Sequence, residues 1–476
     1  MLSKRQRFIK NISLLNLYIF ISGIFFLITN IILIKRLGPS IYGEFAFAVT
    51  FANYFILIAD SGLSLYGETS ISKDKQNANK IIGEIFSFNI ILAVFSVILM
   101  NIISIFIINF SQVQKEMLFL ISIFPLINIF NFNWAIKALE KNEILSLSYF
   151  IGRISYLAGV LFFVLNKNNY LAAIIFFLTG ILLTSLMETS FIIKFTGRFR
   201  LSFNKNNFKY LVLNAMPFGI LTALTLIYTS LPVLFLKFLT IDKFVGFYYI
   251  TNKIVVFVFL LFNTINGAFI PIIAESVKVN DIKKQSRIVS ELVRFAYTLS
   301  VPICIGGFVV SKKLIEMLFG GHSSVSTELL KIMIWSVFFV SVSTVFIGYL
   351  AALNDRKSLI IPAFMTALSG SIISFLLIKY YGIYGGAVSN LIIEIIMFIG
   401  LISSVATRIR ISFDIINFIK VAAASVIMGY LIRLFDFGIF LTIITGIILY
   451  FILLIVFKIF KKEDMEDLKA VLFRNA

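Results

Sequence analysis

A small number of charged residues lie inside long apolar runs, and one of them stands between two tyrosines. Arg153 has Tyr149 four residues before it and Tyr156 three residues after it, which is the spacing of one helix face. A guanidinium binds phosphate well, and tyrosine rings and hydroxyls suit a sugar. This face therefore favours an anionic ligand that carries both groups. The alternative is an arginine that extends to a membrane surface or pairs with a neighbouring acid.

Further cations in apolar runs extend the same hypothesis. Lys253 has Tyr249 and Asn263 on its helix face, and we expect Lys253 and Asn263 to bind the ligand. Lys331 lies about five residues inside its run, so it can bind the ligand or extend to the surface. Arg36 ends the first run, either at the mouth of a cavity or as an ordinary surface residue.

The acids within the runs suggest coupling rather than catalysis. Glu394 is nearest the middle of its run, where it can pair with a cavity cation or bind H⁺ or Na⁺. Asp60 closes a run, where a helix end and a site are equally compatible with the pattern. Cys304 and His322 are the only cysteine and the only histidine. We therefore expect no metal site, no cofactor and no catalytic triad.

The composition is that of a membrane protein. Of the 476 residues, 60% are hydrophobic and 14% are charged, and the mean hydropathy is +1.00. Soluble domains average about 45–50% apolar and about 25% charged residues. The net charge of +19 is compatible with nucleic-acid binding, but the Lys and Arg residues lie between the apolar runs rather than in one patch. This placement favours a role in membrane topology and no nucleic-acid partner.

The apolar runs predict about fourteen transmembrane helices. A bilayer core of roughly 30 Å needs about 20 apolar residues per helix, and these runs are continuous rather than alternating, which excludes a barrel. Lys and Arg are about three times as frequent in alternate connections that include the N-terminus, so we expect both termini in the cytoplasm. The runs are 13–34, 45–63, 83–108, 117–136, 146–165, 171–193, 210–236, 245–270, 291–311, 326–351, 358–378, 384–404, 415–434 and 437–457.

Weak internal repeats predict two similar halves. Residues 138–142 (ALEKN) and 352–356 (ALNDR) each precede a run, and Tyr42-Gly43 corresponds to Val245-Gly246. A parallel repeat of six helices places a cavity between two lobes. The expected divisions are an N-terminal lobe, a cytoplasmic linker, a C-terminal lobe, and an accessory helix pair with a cytoplasmic tail, at 1–193, 194–209, 210–404 and 405–476.

Several segments resemble one family of membrane proteins. They are residues 36–43 (RLGPSIYG), the end of the second run at 60–63 (DSGL), residues 266–271 (NGAFIP) and residues 379–387 (KYYGIYGGA). Together they resemble polysaccharide-unit flippases of the O-antigen (Wzx) type. Those flippases belong to the multidrug/oligosaccharidyl-lipid/polysaccharide exporter superfamily.

The resemblance implies an all-α, V-shaped polytopic fold and a location in the bacterial cytoplasmic (inner) membrane. It implies an undecaprenyl-pyrophosphate-linked oligosaccharide as cargo, such as the repeat unit of O-antigen in lipopolysaccharide, moved by alternating access. Membrane lipids, a polysaccharide polymerase and the chain-length machinery are the candidate partners.

Three alternatives remain open at this point. A multidrug/cation antiporter would need carboxylates within its spans, and here cations are at least as frequent. A lipid II flippase is poorly separated from the first hypothesis. A membrane-embedded sugar polymerase would carry a large outer loop with catalytic residues, whereas the predicted outer connections are short. We therefore expect a transporter and not an enzyme.

Overall fold

The protein is helical throughout the part that the structure describes. The computed structural model describes the backbone of residues 4–106, 110–203, 205–278, 281–319, 324–434 and 438–459, and side chains from residue 20 onward except 205–207 and 263–272. Of the described residues, 88% are helical, and none of them forms a strand. The predicted all-α class is confirmed.

The described residues form eight α-helices in each half of the chain. Those of the first half are α1 (Lys4–Asp60), α2 (Leu63–Lys73), α3 (Ala78–Phe106), α4 (Gln112–Ile121), α5 (Phe124–Asn128), α6 (Asn133–Ala138), α7 (Asn142–Phe163) and α8 (Tyr170–Thr196). Those of the second half are α9 (Lys205–Leu239), α10 (Asp242–Lys278), α11 (Ile282–Phe319), α12 (Ser324–Met333), α13 (Ser336–Ala352), α14 (Lys357–Ala406), α15 (Ile415–Leu434) and α16 (Ile439–Val456).

Twelve helical segments of the described chain are long and apolar enough to cross a membrane. Two of these segments join shorter helices, namely Gln112–Ala138 and Ser324–Ala352. Their lengths run from 18 to 50 residues, which meets or exceeds the roughly 17–25 that a bilayer core requires. The chain is a multi-pass membrane protein.

The long helix α1 is a hairpin of two arms. Gly38 interrupts it with φ 77° and ψ 160°, and Pro39 follows. Across this break the Tyr42 hydroxyl donates to Asn30 Oδ1 at 2.8 Å. Twelve residues of unbroken helix would separate these positions by about 18 Å. The chain must therefore reverse at Gly38, where glycine tolerates the left-handed backbone.

Helix α14 folds back in the same way at Gly382, which has φ 55° and ψ −132°. A Cβ on Gly400 would lie 2.8 Å from Pro362 Cβ, and one on Gly370 would lie 2.9 Å from Ile393 Cγ1. Such pairs, with one member before the break and one after it, require antiparallel arms. The sequence predicted longer connections at both places, but helix continues to one residue on either side of each glycine. Each of the two hairpins counts as one of the twelve long apolar segments but contains two arms. Counted by arms, the described helices agree with the predicted number of fourteen spans, which stays a prediction.

The two turns of the proposed repeat have the same backbone geometry. Glu140 has φ 60° and Asn354 has φ 55°, both left-handed. The next amide closes the helix end in each case, with Lys141 N donating to Ile136 O and Asp355 N donating to Leu350 O, both at 3.1 Å. This match supports an internal repeat, because left-handed backbone is uncommon outside glycine.

A shared hydrophobic core joins the two halves of the chain. One buried cluster combines Tyr42 and Phe47 of α1 with Leu236 of α9 and Tyr248 of α10. The cores of the individual halves are separate from it. One lies within residues 273–459, and another lies within 59–192 plus two residues of α9.

Two glycine pairs bring the backbones of the halves together. A Cβ on Gly246 of α10 would overlap the Pro39 carbonyl and lie 3.2 Å from Gly43 N. A Cβ on Gly219 of α9 would lie 2.6 Å from the carbonyl oxygen of Ser61, next to Gly62. The second arm of α1 is thus held against the other half near both of its ends.

Candidate functional site

A cavity of about 260 Å³ lies beside the middle of the second arm of α1. Two of its lining residues, Val49 and Asn53, stand between Gly43 and Gly62 along the chain. Helices α1, α5, α7 and α8 come from the first half and α10 comes from the second. The lining residues are Phe26, Val49, Asn53, Phe124, Asn128, Asn131, Tyr149, Gly152, Arg153, Tyr156, Phe177, Gly180, Ile181, Thr184, Tyr249 and Lys253.

Two cations from different halves of the chain meet at one phenyl ring in this cavity. The guanidinium carbon of Arg153 on α7 is 4.0 Å from the centre of the Phe26 ring. Lys253 Nζ on α10 is 5.5 Å from the same centre and 4.4 Å from the centre of the Tyr249 ring. Each distance is within the range of a cation–π interaction, in which the negative face of the ring attracts the charge.

Neither cation is neutralised by a residue of the described part of the chain. Among the residues that the structure describes, no carboxylate lies within 4.0 Å of Arg153 or Lys253. Both side chains are half-buried. Two like charges held close together in partly desolvated surroundings repel each other, and a bound anion would relieve both the repulsion and the lost hydration.

Uncharged polar groups surround the two cations. The Tyr149 hydroxyl accepts a hydrogen bond from Asn133 Nδ2 at 3.1 Å. Tyr156 is 2% exposed, and its hydroxyl has no hydrogen-bond partner within the described part of the chain. Asn128 and Asn131 also line the cavity. The cavity can therefore hydrogen-bond a polar ligand as well as attract its charge.

Small residues let α7 and α8 approach closely behind Arg153. A Cβ on Gly180 would lie 2.7 Å from the Gly152 carbonyl oxygen, and one on Gly152 would overlap the Thr184 hydroxyl. This crossing fixes the direction in which Arg153 leaves α7. Sequence reasoning missed this pair and also Phe26, which is one of 54 phenylalanines and carries no distinguishing signal.

The structure brings together four of the predicted binding residues, namely Arg153, Lys253, Tyr149 and Tyr156. It does not bring Arg36 to them. Arg36 Nη1 donates to the carbonyl oxygens of Val160, Leu161 and Val164 at 2.9, 2.8 and 2.9 Å. These acceptors form the C-terminal end of α7, whose unpaired carbonyls attract a cation.

Lys331 and Asp60 also lie away from this cavity. Lys331 pairs with Glu328 at 2.6 Å on α12. Asp60 accepts hydrogen bonds from the backbone N–H groups of Gly62 and Ser64 at 3.2 and 3.1 Å, so it caps α2. The side chain of Asn263 is outside the described residues.

Glu394 stands on the second arm of α14 and does not line the cavity. It has no ion-pair partner in the described ranges, and the phenols of Tyr228 and Tyr248 are close enough to interact with it electrostatically. It remains a candidate for coupling rather than for cargo binding.

Comparison with solved structures identifies the fold. The lipid II flippase MurJ in an inward closed conformation matches with a TM-score of 0.78 and 20% identity, over 93% of this chain and 98% of that one. An inward-facing MATE multidrug resistance transporter of the MOP superfamily matches with a TM-score of 0.67 and 12% identity, over 83% and 98%. An outward-facing MATE transporter gives 0.62 and 14%, over 84% and 95%. No curated protein sequence gives a significant match.

A family model identifies the family of the chain, whereas structural matches at such low sequence identity identify only its fold. The model described as polysaccharide biosynthesis protein matches residues 8–277, which is more than half of the chain and includes both cavity cations. The resemblance stated from the sequence motifs is confirmed at this level. The chain belongs to the polysaccharide biosynthesis protein family and has the fold of the MOP-superfamily flippases and transporters.

Proposed function

We propose that the protein is a flippase for an undecaprenyl-pyrophosphate-linked oligosaccharide, the repeat unit of O-antigen or of another surface polysaccharide. Membership of the polysaccharide biosynthesis family supports the pathway. The fold shared with a lipid II flippase and with multidrug transporters supports movement of cargo across a membrane rather than an enzymatic reaction.

One observation carries this proposal: Arg153 and Lys253 share the Phe26 ring with no carboxylate between them among the described residues. A pyrophosphate has several charged oxygens and can contact both cations at once. Arginine binds phosphate oxygens in pairs, and lysine acts as a point charge. The amides of Asn128 and Asn131 and the hydroxyl of Tyr156 are suited to the first sugar.

The mechanism we propose is alternating access between two six-helix lobes, residues 1–193 and 210–404. Residues 194–209 would link the lobes, and 405–476 would form an accessory helix pair with a cytoplasmic tail. The lipid tail would stay in the bilayer while the head group occupies the cavity. Close backbone contacts between the two halves at Gly43 and at Gly219, toward the two ends of the second arm of α1, support closure of the cavity on either side.

The energy source we propose is an ion gradient that acts through Glu394. A carboxylate within a membrane span is costly when ionised and without a partner, so it readily takes up H⁺ or pairs with Na⁺. Asp60 was the other candidate, but its carboxylate is occupied by the cap of α2. The membrane potential would add to the driving force for a charged cargo.

We place the protein in the bacterial cytoplasmic membrane with both termini in the cytoplasm, following the Lys and Arg bias of the connections. A polysaccharide polymerase and chain-length machinery would then receive the cargo on the outer face. Membrane lipids would surround the exposed apolar side chains of α3, α15 and α16.

The decisive experiment replaces the cavity cations in a strain that depends on this chain for its surface polysaccharide. We expect Arg153→Ala to abolish surface polysaccharide and Arg153→Lys to restore part of it, with unchanged amounts of protein in the membrane. Lys331→Ala is the matched control, because that cation is paired outside the cavity. Normal polysaccharide in the Arg153→Ala strain would refute the assignment.

Lipid II is the second candidate cargo, because the lipid II flippase matches with a TM-score of 0.78 over 93% of the chain. The two cargos can be separated by complementation. We expect the protein to restore polysaccharide export in a strain that lacks its own flippase for such units. We do not expect it to sustain growth when the lipid II flippase is depleted. Growth without polysaccharide export would reverse the assignment.

A further inference from the structure

A second cavity, of about 690 Å³, lies outside the site described above. It is a cleft between the first turns of α11 and the connection 406–414 that joins α14 to α15. The cleft is strongly basic, with five cations among its lining residues and only two acids, Glu291 and Asp414. The cations are Lys283, Arg287, Arg294, Arg408 and Arg410.

Internal ion pairs leave part of this charge available. Arg287 Nε pairs with Glu291 at 2.8 Å, and Arg408 Nη2 pairs with Asp355 at 2.6 Å. Lys283 and Arg410 are exposed, and neither has an ion-pair partner among the described residues. An acidic ligand would therefore meet free charge on both walls of the cleft.

The walls of the cleft are fixed to each other. The Ser286 hydroxyl on α11 donates to the Arg410 carbonyl. The Ser412 N–H donates to Ser290 Oγ at 3.0 Å. The cleft is therefore formed before a ligand binds, and little binding free energy would be lost in organising it.

Helix α16 runs antiparallel to α11, with Tyr450 against Thr298 and Ile439 in one small cluster with Val310, so it ends level with the cleft. Lys458 has φ 51°, its N–H donates to Ile455 O at 3.0 Å, and the Ile459 N–H donates to Leu454 O at 3.0 Å. These bonds form a left-handed cap that ends α16. Ile459 is 4% exposed and belongs to the same buried cluster as Ile409 of the cleft wall.

One acidic run in the sequence that follows Ile459 complements the cleft. Residues 463–467 read EDMED, with four acids in five positions, and the four Lys and Arg residues of 460–476 all lie outside this run. An extended chain reaches up to about 14 Å from Ile459 to Glu463 and about 28 Å to Asp467. We infer that the C-terminal segment 460–476 docks in this cleft, with its acidic run paired to Lys283 and Arg410, and thereby ties α16 to α11.

Tethering favours this occupant over an anionic lipid head group. A segment joined to the protein by a few residues has an effective concentration in the millimolar range. Ile459, the last residue that the structure describes, lies nine residues beyond Tyr450, which contacts Thr298 of α11, and this places it near the first turns of α11. A lipid phosphate carries less charge than four carboxylates and has no such anchor.

A disulfide between the cleft and the segment tests this inference without removing any charge. The only native cysteine, Cys304, is buried and is replaced by Ala. Thr407→Cys in the cleft and Met465→Cys in the acidic run are then combined in protein reconstituted in vesicles. With a mild oxidant, we expect at least a tenfold higher crosslinking yield than for Gln76→Cys with Met465→Cys. Gln76 is an exposed residue in the connection between α2 and α3, on the same predicted side of the membrane as the cleft.

Charge reversal shows whether ion pairs hold the segment. Replacing all four acids of 463–467 with Lys should reduce the Thr407→Cys/Met465→Cys crosslink to the control yield. Adding Lys283→Glu and Arg410→Glu to that variant should restore it. Restoration also shows that the reversed protein is folded.

Two outcomes would overturn the inference. One is a crosslink that the four acid-to-Lys changes do not reduce. The other is a crosslink at the control level. If Thr407→Cys is then protected from maleimide in phosphatidylglycerol vesicles but not in phosphatidylcholine vesicles, the cleft is assigned to lipid.

Discussion

Gly43 and Gly246 lie against each other at the contact between the two halves of the chain. A Cβ on Gly43 would overlap the Asp242 carbonyl, and one on Gly246 would overlap the Pro39 carbonyl. The two glycines are also the positions that the repeat aligns, in Tyr42-Gly43 and Val245-Gly246. A contact between equivalent residues is what a two-fold relation between the halves produces at its axis.

Replacing Gly246 with Ala should force α1 and α10 apart at this contact. Overpacking in a tight crossing costs about 1–3 kcal/mol. We expect the variant to unfold at a lower temperature in detergent and to label faster with maleimide at Tyr42→Cys in a Cys304→Ala background. Gly438→Ala is the control, because a Cβ there meets no atom within 4 Å. Equal labelling of both variants would contradict the contact.

Replacing Phe26 with Leu should weaken ligand binding without removing any charge. The ring faces Arg153 and Lys253, and cation–π contacts in desolvated sites contribute up to about 2 kcal/mol each. We expect roughly a tenfold loss of affinity for the lipid-linked cargo in detergent binding assays, with Phe26→Tyr close to wild type. Phe440→Leu, on an exposed face of α16, should leave the affinity unchanged.

Replacing Arg36 with Ala should reduce stability rather than cargo binding. Its guanidinium satisfies three carbonyls at the end of α7, and charged hydrogen bonds contribute about 1.5–3 kcal/mol each when their partners would otherwise be unsatisfied. We expect a lower unfolding temperature in detergent and unchanged affinity for the cargo. The neighbouring exposed Lys35→Ala provides the control. Loss of affinity with normal stability would place Arg36 in the site after all.

Asp355 should make stability depend on acid pH. Hydrogen bonds from Ser358, and then from Arg408, lower the pKa of the Asp355 carboxyl. Because the folded pKa lies below the unfolded value of about 3.9, this stabilisation is complete above that value. It is lost as the pH falls through the folded pKa.

Thermal unfolding at pH 7 and at pH 3 checks this prediction. Asp355→Asn should be less stable than wild type at pH 7, and the difference should shrink at pH 3. Gly438→Ala, which adds no ionisable group and whose Cβ meets no atom within 4 Å, is the control, and its difference from wild type should be the same at both pH values. A constant difference for Asp355→Asn would show that its hydrogen bonds do not depend on ionisation.

The helices and half of the site were predictable because both depend on local patterns. Apolar runs of span length fold as helices in a bilayer whatever surrounds them. Tyr149, Arg153 and Tyr156 share a face through helical spacing alone, and all three line the cavity. The same spacing joined Tyr249 to Lys253, where the structure has a cation–π contact.

The remaining features depend on contacts between distant parts of the chain. Arg36 meets its acceptors 124 to 128 residues later, so no local pattern distinguishes a helix cap from a cavity residue. Lys331 and Asp60 were also predicted as site residues, and local partners hold both elsewhere. The single-residue reversals at Gly38 and Gly382 require knowledge of how the two arms pack.

Arg153 and Lys253 are carried by α7 and α10, which belong to different halves, while the ring between them belongs to α1. Any displacement of α10 relative to α7 must change the separation of the two charges. The attraction between these two cations and a bound doubly charged anion would strengthen or weaken with that displacement. Binding and release of the anion would then follow from the relative position of α7 and α10, without a separate residue that triggers release.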